Sequence, residues 1–134
     1  AEGPLCESQV ALIDTLLAVR ETCSNAKEQL HDIAVDMPAL LPAVERFERR
    51  CEALAARGVD VATLEFEASY GRSSMEYYDG FVFGFVPTAR PDLPPVATGG
   101  RYDALTERLG NGRAAPAVGG VIRPGLLLQT GERA

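Results

Sequence analysis

The sequence holds no tryptophan, one histidine, two methionines and three cysteines in 134 residues. Each scarcity excludes something. With His31 as the sole imidazole, a His/Cys metal centre or a Ser-His-Asp arrangement would rest on that one side chain, so no metal site is expected. His31 itself reads as a solvated or capping residue. Cys6, Cys23 and Cys51 are odd in number and widely spaced, which predicts reduced thiols on helices rather than a disulfide framework or a zinc cluster. No apolar run approaches the roughly 18 residues of a membrane span. The opening AEGPLCESQV lacks the basic-then-apolar order of a signal peptide. A cytoplasmic chain with no membrane role is therefore expected. Positive charge is also short: 13 Lys+Arg against 19 Asp+Glu give a formal net charge of -6. That balance disfavours nucleic acid and anionic lipid as partners.

What is present is a globular composition, 46% hydrophobic and 24% charged, with 13 Gly and 9 Pro. It argues against disorder and low complexity. The expectation is one domain or fragment, helical over residues 1–58 and sheet-rich over 59–134. From Ser8, read as an N-cap, Val10, Ile13, Leu16, Leu17 and Val19 recur at helical spacing. Asn25 followed by Glu28 suggests a capping box opening a second helix through Leu30 and Ile33. A third begins near Pro38, with Val44, Phe47, Cys51 and Leu54 on one face and Glu45, Arg46, Glu48, Arg49, Arg50 and Glu52 opposite. Gly58 closes it as the C′ residue. The charged face reads as a solvated surface with Glu/Arg pairs.

After Gly58 the period becomes alternating. Leu64, Phe66 and Ala68 mark a strand with one wet face. The run EYYDGFVFGFV, Glu76 to Val86, carries Phe81, Phe83 and Phe85 on one side and Val82, Gly84 and Val86 on the other, which predicts a central, doubly covered strand. Pro87 to Pro95 reads as an exposed hairpin loop. Val96 to Thr98 resumes an extended run that stops at Gly99-Gly100. Arg101 to Leu109 reads as a short helix closed by Gly110, Ala117 to Ile122 as a last strand, and the tail after Arg123-Pro124 as irregular. The order predicts an α+β fold, an antiparallel sheet flanked by helices.

Three places could carry chemistry. Entering the aromatic strand, Glu76 and Tyr78 alternate with Tyr77 and Asp79, so a carboxylate and a phenol could reach one cavity; a sheet aromatic pair with a turn-forming Asp79-Gly80 is the plainer alternative. In Thr98 to Asp103, Gly99 and Gly100 permit close backbone approach. Arg101 offers a forked cation suited to carboxylate or phosphate, and Asp103 suits a first helical turn. In Pro116 to Arg123 the paired Gly119-Gly120 imply close packing against a neighbouring element or a ligand.

In this order, EYYDGFVFGF, TGGRYDALTERLG and PAVGGVIR resemble the C-terminal part of the class II histidyl-tRNA synthetase catalytic fold. That family binds histidine with an Arg-Gly-Leu-Asp-Tyr-Tyr-Thr-Gly segment and a Gly-Gly-Arg-Tyr-Asp segment. Tyr77, Tyr78 and Gly80 match the first, and Gly99, Gly100, Arg101, Tyr102 and Asp103 the second. The resemblance covers roughly the last half of the chain and is weak in the helical half. Two synthetase arginines are missing. The first falls on Ser73, with Arg72 one residue out of register, and the arginine that grips ATP falls on Leu126, Arg123 arriving too early.

A synthetase-like fold without those cations is similar to the regulatory subunits of short-form ATP phosphoribosyltransferases, whose members also resemble this chain in VGGVIRPG. The resemblance implies no reaction of its own and no cofactor. It implies a partner, the catalytic subunit that begins histidine biosynthesis, engaged by a homodimer within a hetero-oligomer, with histidine as possible effector. Glu76 and Tyr78 would then read the imidazole, Tyr102 would line the pocket, Gly99 and Gly100 would give backbone access, and Tyr77 and Arg101 would complete the set. An active synthetase fragment, another amino-acid sensor and a pure interaction scaffold stay open beside it.

Overall fold

A computed structural model of the chain describes residues 4–71 and 78–131. They form two compact units, Ala1–Ser69 and Tyr70–Ala134. The boundary falls at residue 69, beyond the change of period after Gly58, because the first strand of the alternating region pairs back onto the helical region.

The first unit contains α1 (Glu7–Ala18), β1 (Arg20–Thr22), α2 (Cys23–Asp36), a 3-10 turn (Pro38–Leu40), α3 (Leu41–Ala55) and β2 (Glu65–Glu67). The N-cap of α1 is Cys6 rather than Ser8. Gln9 reaches back so that its Oε1 accepts the Cys6 N–H at 2.9 Å, the return half of a capping box. The cap of α2 is likewise earlier than Asn25: the Thr22 hydroxyl accepts the Asn25 N–H at 3.4 Å. α3 ends as its sequence predicts. Gly58 has φ +83°, the N–H of Val59 reaches the Leu54 carbonyl at 3.1 Å, and that of Gly58 reaches Ala55 at 2.9 Å. This is the Schellman pattern, which only a residue without a Cβ closes without strain.

The short strand β1 lies in a stretch too polar to announce itself. It pairs antiparallel with β2 in the register Arg20↔Glu67, Glu21↔Phe66 and Thr22↔Glu65. The core of the unit is Val19, Cys23, Ala26, Leu30, Ile33, Ala34, Val44 and Phe47, with Phe66 and Cys51 packed against it. Phe47 and Phe66 bring their ring centroids to 4.7 Å. Such side chains contribute about 1.5–3 kcal/mol each on burial. On the outer face Arg49 pairs with Glu45 at 3.9 Å. His31 is neither free nor a cap: its Nε2 lies 3.0 Å from Glu48 Oε1, linking α2 to α3.

The second unit contains β3 (Val82–Phe85), β4 (Ala97–Arg101), α4 (Asp103–Leu109), β5 (Val118–Ile122) and α5 (Pro124–Gln129). The sheet order is β3-β4-β5, antiparallel throughout. Three expectations are corrected here. Among the described residues β3 is an edge strand, with Phe85 63% exposed, because the place at the centre goes to β4. Gly99 and Gly100 do not stop β4; they are its middle, paired on both sides. The tail after Arg123 is helical, since Pro124 sits in the first turn of α5, where its fixed φ favours a helix and its missing N–H costs nothing. The hairpin loop is closed by the Val96 N–H to Phe85 O bond at 2.8 Å. Within it Arg90 clasps Asp92 through two N–H donors at 2.8 and 2.6 Å and reaches the Gln129 carbonyl at 3.1 Å.

Candidate functional site

Two neighbouring cross-strand pairs in the second unit consist of glycine alone: Gly99↔Gly120 and Gly100↔Gly119. Residues paired across an antiparallel ladder share a face, and alternate residues along a strand share it too. One face therefore carries Val82, Gly84, Thr98, Gly100, Gly119 and Val121. The other carries Phe83, Phe85, Ala97, Gly99, Arg101, Gly120 and Ile122.

Rings fill the space that the missing Cβ atoms leave. A Cβ on Gly100 would meet the Tyr78 ring at 2.9 Å, and one on Gly119 would meet the Tyr102 hydroxyl at 2.7 Å. The Tyr70 hydroxyl stands against Gly84. Three tyrosines thus cover three glycines on one face, and Tyr78 and Tyr102 lie 6.3 Å apart, tilted by 42°. On the opposite face the end of the Phe83 ring covers Gly99 and Gly120. Phe83 stacks with Phe81 at 6.3 Å and meets Phe85 edge-on at 5.8 Å.

A polar corner holds the ends of these strands. The Asp79 carboxylate accepts the N–H of Asp103 at 3.1 Å and that of Ala104, the first two amides of α4. Asp103 is bound in turn: its Oδ1 accepts the Ala117 N–H at 2.8 Å and its Oδ2 accepts Arg101 Nε at 2.7 Å. The Ala117 amide, and then the Arg101 guanidinium, hold this carboxyl below its ordinary range by favouring the charged form. The Tyr102 N–H donates to Ala117 O at 3.0 Å. Arg123 donates to Pro95 O and to the Thr98 hydroxyl, both at 3.2 Å, fixing the far end of β5.

Of the residues expected at the site, Tyr78, Gly100 and Tyr102 come together on the tyrosine face. Gly99 and Arg101 stand at alternate positions and belong to the phenylalanine face. Glu76 and Tyr77, and with them Ser73, lie outside the described residues. Sequence reasoning overlooked Tyr70, and it read Asp79 as a strand residue alternating with Tyr78 or as a turn former, not as a helix cap. An N-cap is ordinarily sought just before its helix, whereas Asp79 caps α4 from 25 residues away, so no local signal could have revealed it.

A family model described as histidyl-tRNA synthetase matches residues 1–124. The chain belongs to that family, and its α+β architecture, an antiparallel sheet with helices, is a partial class II synthetase-like fold. The curated relatives are more particular. Proteins named ATP phosphoribosyltransferase regulatory subunit from Brucella canis, Brucella suis and Brucella ovis are each 35% identical over 109 residues, 81% of this chain and 29% of the relative. The chain spans about three-tenths of the length of those relatives. The match to the family model extends through the helical first half, where the motifs alone gave little. No solved structure matches. No helix among the described residues is long and apolar enough to cross a membrane.

Proposed function

We propose that this chain is part of a regulatory subunit of ATP phosphoribosyltransferase. In this reading it has no reaction of its own, assembles in the cytoplasm as a homodimer within a hetero-oligomer with the catalytic subunit, activates it and carries feedback by histidine. The observation that carries the ligand part is the pairing of Tyr78 and Tyr102, which match the histidine-binding motifs by resemblance, over Gly100 and Gly119. Two tyrosines side by side present flat aromatic surface together with phenol groups, a combination suited to a small planar ring that also forms hydrogen bonds. Glu76 and Tyr77, which precede Tyr78 in the sequence, are assigned to the same ligand site in this reading. Gly99 and Arg101 serve it from the other face, Gly99 by admitting Phe83 and Arg101 by holding Asp103.

Support for a non-catalytic role comes from charge. Adenylate formation needs cations at the phosphates, whereas Ser73 and Leu126 occupy the places of the synthetase arginines and Arg123 is engaged by Pro95 and Thr98. Feedback needs histidine to bind one assembly state better than another, a coupling typically of about 1–3 kcal/mol.

The test is phosphoribosyl-ATP formation by a short-form catalytic subunit, alone and with the intact protein that contains this chain, with and without histidine. Activation that histidine suppresses is expected. No effect on rate, together with histidine-dependent pyrophosphate exchange from ATP, would overturn the proposal in favour of a synthetase.

A further inference from the structure

Tyr78 and Tyr102 come from segments 24 residues apart, and something must set their spacing. The residue after Tyr78 does so directly. The Asp79 backbone N–H donates to Arg101 O at 3.1 Å, immediately before Tyr102, and its carboxylate takes the N–H groups of Asp103 and Ala104, immediately after it. The Arg101 N–H closes the same corner on Phe81 O at 2.9 Å. Tyr102 makes no side-chain cap for α4, so the Asp79 carboxylate is the side-chain acceptor for its first amides. Hydrogen bonds to an ionised acceptor are about twice as strong as neutral ones. Asp79 therefore brackets Tyr102 on both sides while being covalently joined to Tyr78.

From this geometry we infer that Asp79 is the positioning residue of the tyrosine pair: it sets the distance between the Tyr78 and Tyr102 rings and so the way the two rings together meet histidine. The ligand part rests on the function proposed above; the ring spacing does not. Asp79 touches no ligand in this scheme and acts only through its two neighbours. An alanine removes the side-chain acceptor of both α4 amides and leaves the Tyr78 segment held to β4 by the two main-chain bonds alone, so that the ring of Tyr78 is less closely fixed against Gly100. An asparagine keeps one carbonyl oxygen for one amide but turns a donor toward the other, so it holds the segment in part.

The experiment uses the intact protein with labelled tyrosine rings, as wild type, Asp79→Ala and Asp79→Asn. Three readouts are taken: the magnetisation transfer between the Tyr78 and Tyr102 rings without ligand, histidine affinity by calorimetry, and the melting temperature. Expected is loss of the ring-to-ring signal and about tenfold weaker histidine binding in Asp79→Ala, with Asp79→Asn intermediate in both. A cap that serves stability alone would lower the melting temperature and leave the ring signal in place, which overturns the inference. If Asp79→Ala does not fold, Asp79→Asn decides by the same signal. If the wild type binds no histidine, the proposed function fails while the ring signal still decides the role of Asp79.

Discussion

Arg101 and Asp103 form an ion pair across Tyr102, with Nε and Nη2 of the arginine each 2.7 Å from the same carboxylate oxygen. The forked cation of the sequence is engaged by Asp103 in the corner between β4 and α4.

Acid should reveal this corner. Because the folded state holds the Asp103 carboxyl below its ordinary value near 3.9, its contribution is fully present above that value and is lost as pH falls through the depressed one. Melting temperatures of wild type and Asp103→Asn, measured from pH 7 down to pH 2, should differ most at neutral pH and converge toward the acid end. A difference constant with pH would contradict the ion-pair account.

Gly100→Ala should cost about 1–3 kcal/mol, since its Cβ would stand 2.7 Å from the Phe81 carbonyl oxygen and 2.9 Å from the Tyr78 ring. Gly125→Ala, with nothing within 4 Å and a place in α5, should be neutral or stabilising by up to about 1 kcal/mol. Urea denaturation of the two variants side by side checks both.

Phe47 is 5% exposed and packs on Phe66. Phe47→Ala should destabilise the first unit by about 3–5 kcal/mol through lost burial and the cavity left behind. Denaturant unfolding followed at α2 and α3 amides measures it.

The three thiols should react in a fixed order. Cys6 is exposed, and the Ser8 hydroxyl holds its thiol below the ordinary value, whereas burial and the neighbouring Cys51 push Cys23 up to about 11. Iodoacetamide at pH 8 should label Cys6 first and Cys23 only on unfolding. Cys23 also predicts the alkaline limb: the unfolded thiol ionises near 8.5 while the folded one stays neutral, so stability should fall as pH rises from about 8.5 toward 11.

The helices of the first unit were legible because their apolar spacing, Pro38 and Gly58 are local signals that the packing agrees with. β1 was not, since Arg20, Glu21 and Thr22 are extended only by virtue of pairing with β2, more than forty residues on. Gly99 and Gly100 misled for the opposite reason. Glycine locally favours a turn, and here the fold uses it to admit rings from neighbouring segments. α5 was hidden in a short tail that reads as irregular, although Pro124 at the first helical position marks a start. At the candidate site the motif tyrosines could be found, but the division of Gly99 and Arg101 from Gly100 and Tyr102 follows from strand parity. That parity became readable only once β4 was known to run through the glycines.

The four paired glycines leave a window in the sheet where the wall between its two sides is one peptide thick. Rings on either side rest on the same peptide planes: Tyr78 and Tyr102 on one, Phe83 on the other. A small sideways slip of β4 against β5 would displace all three together, with no side chain between them to absorb it.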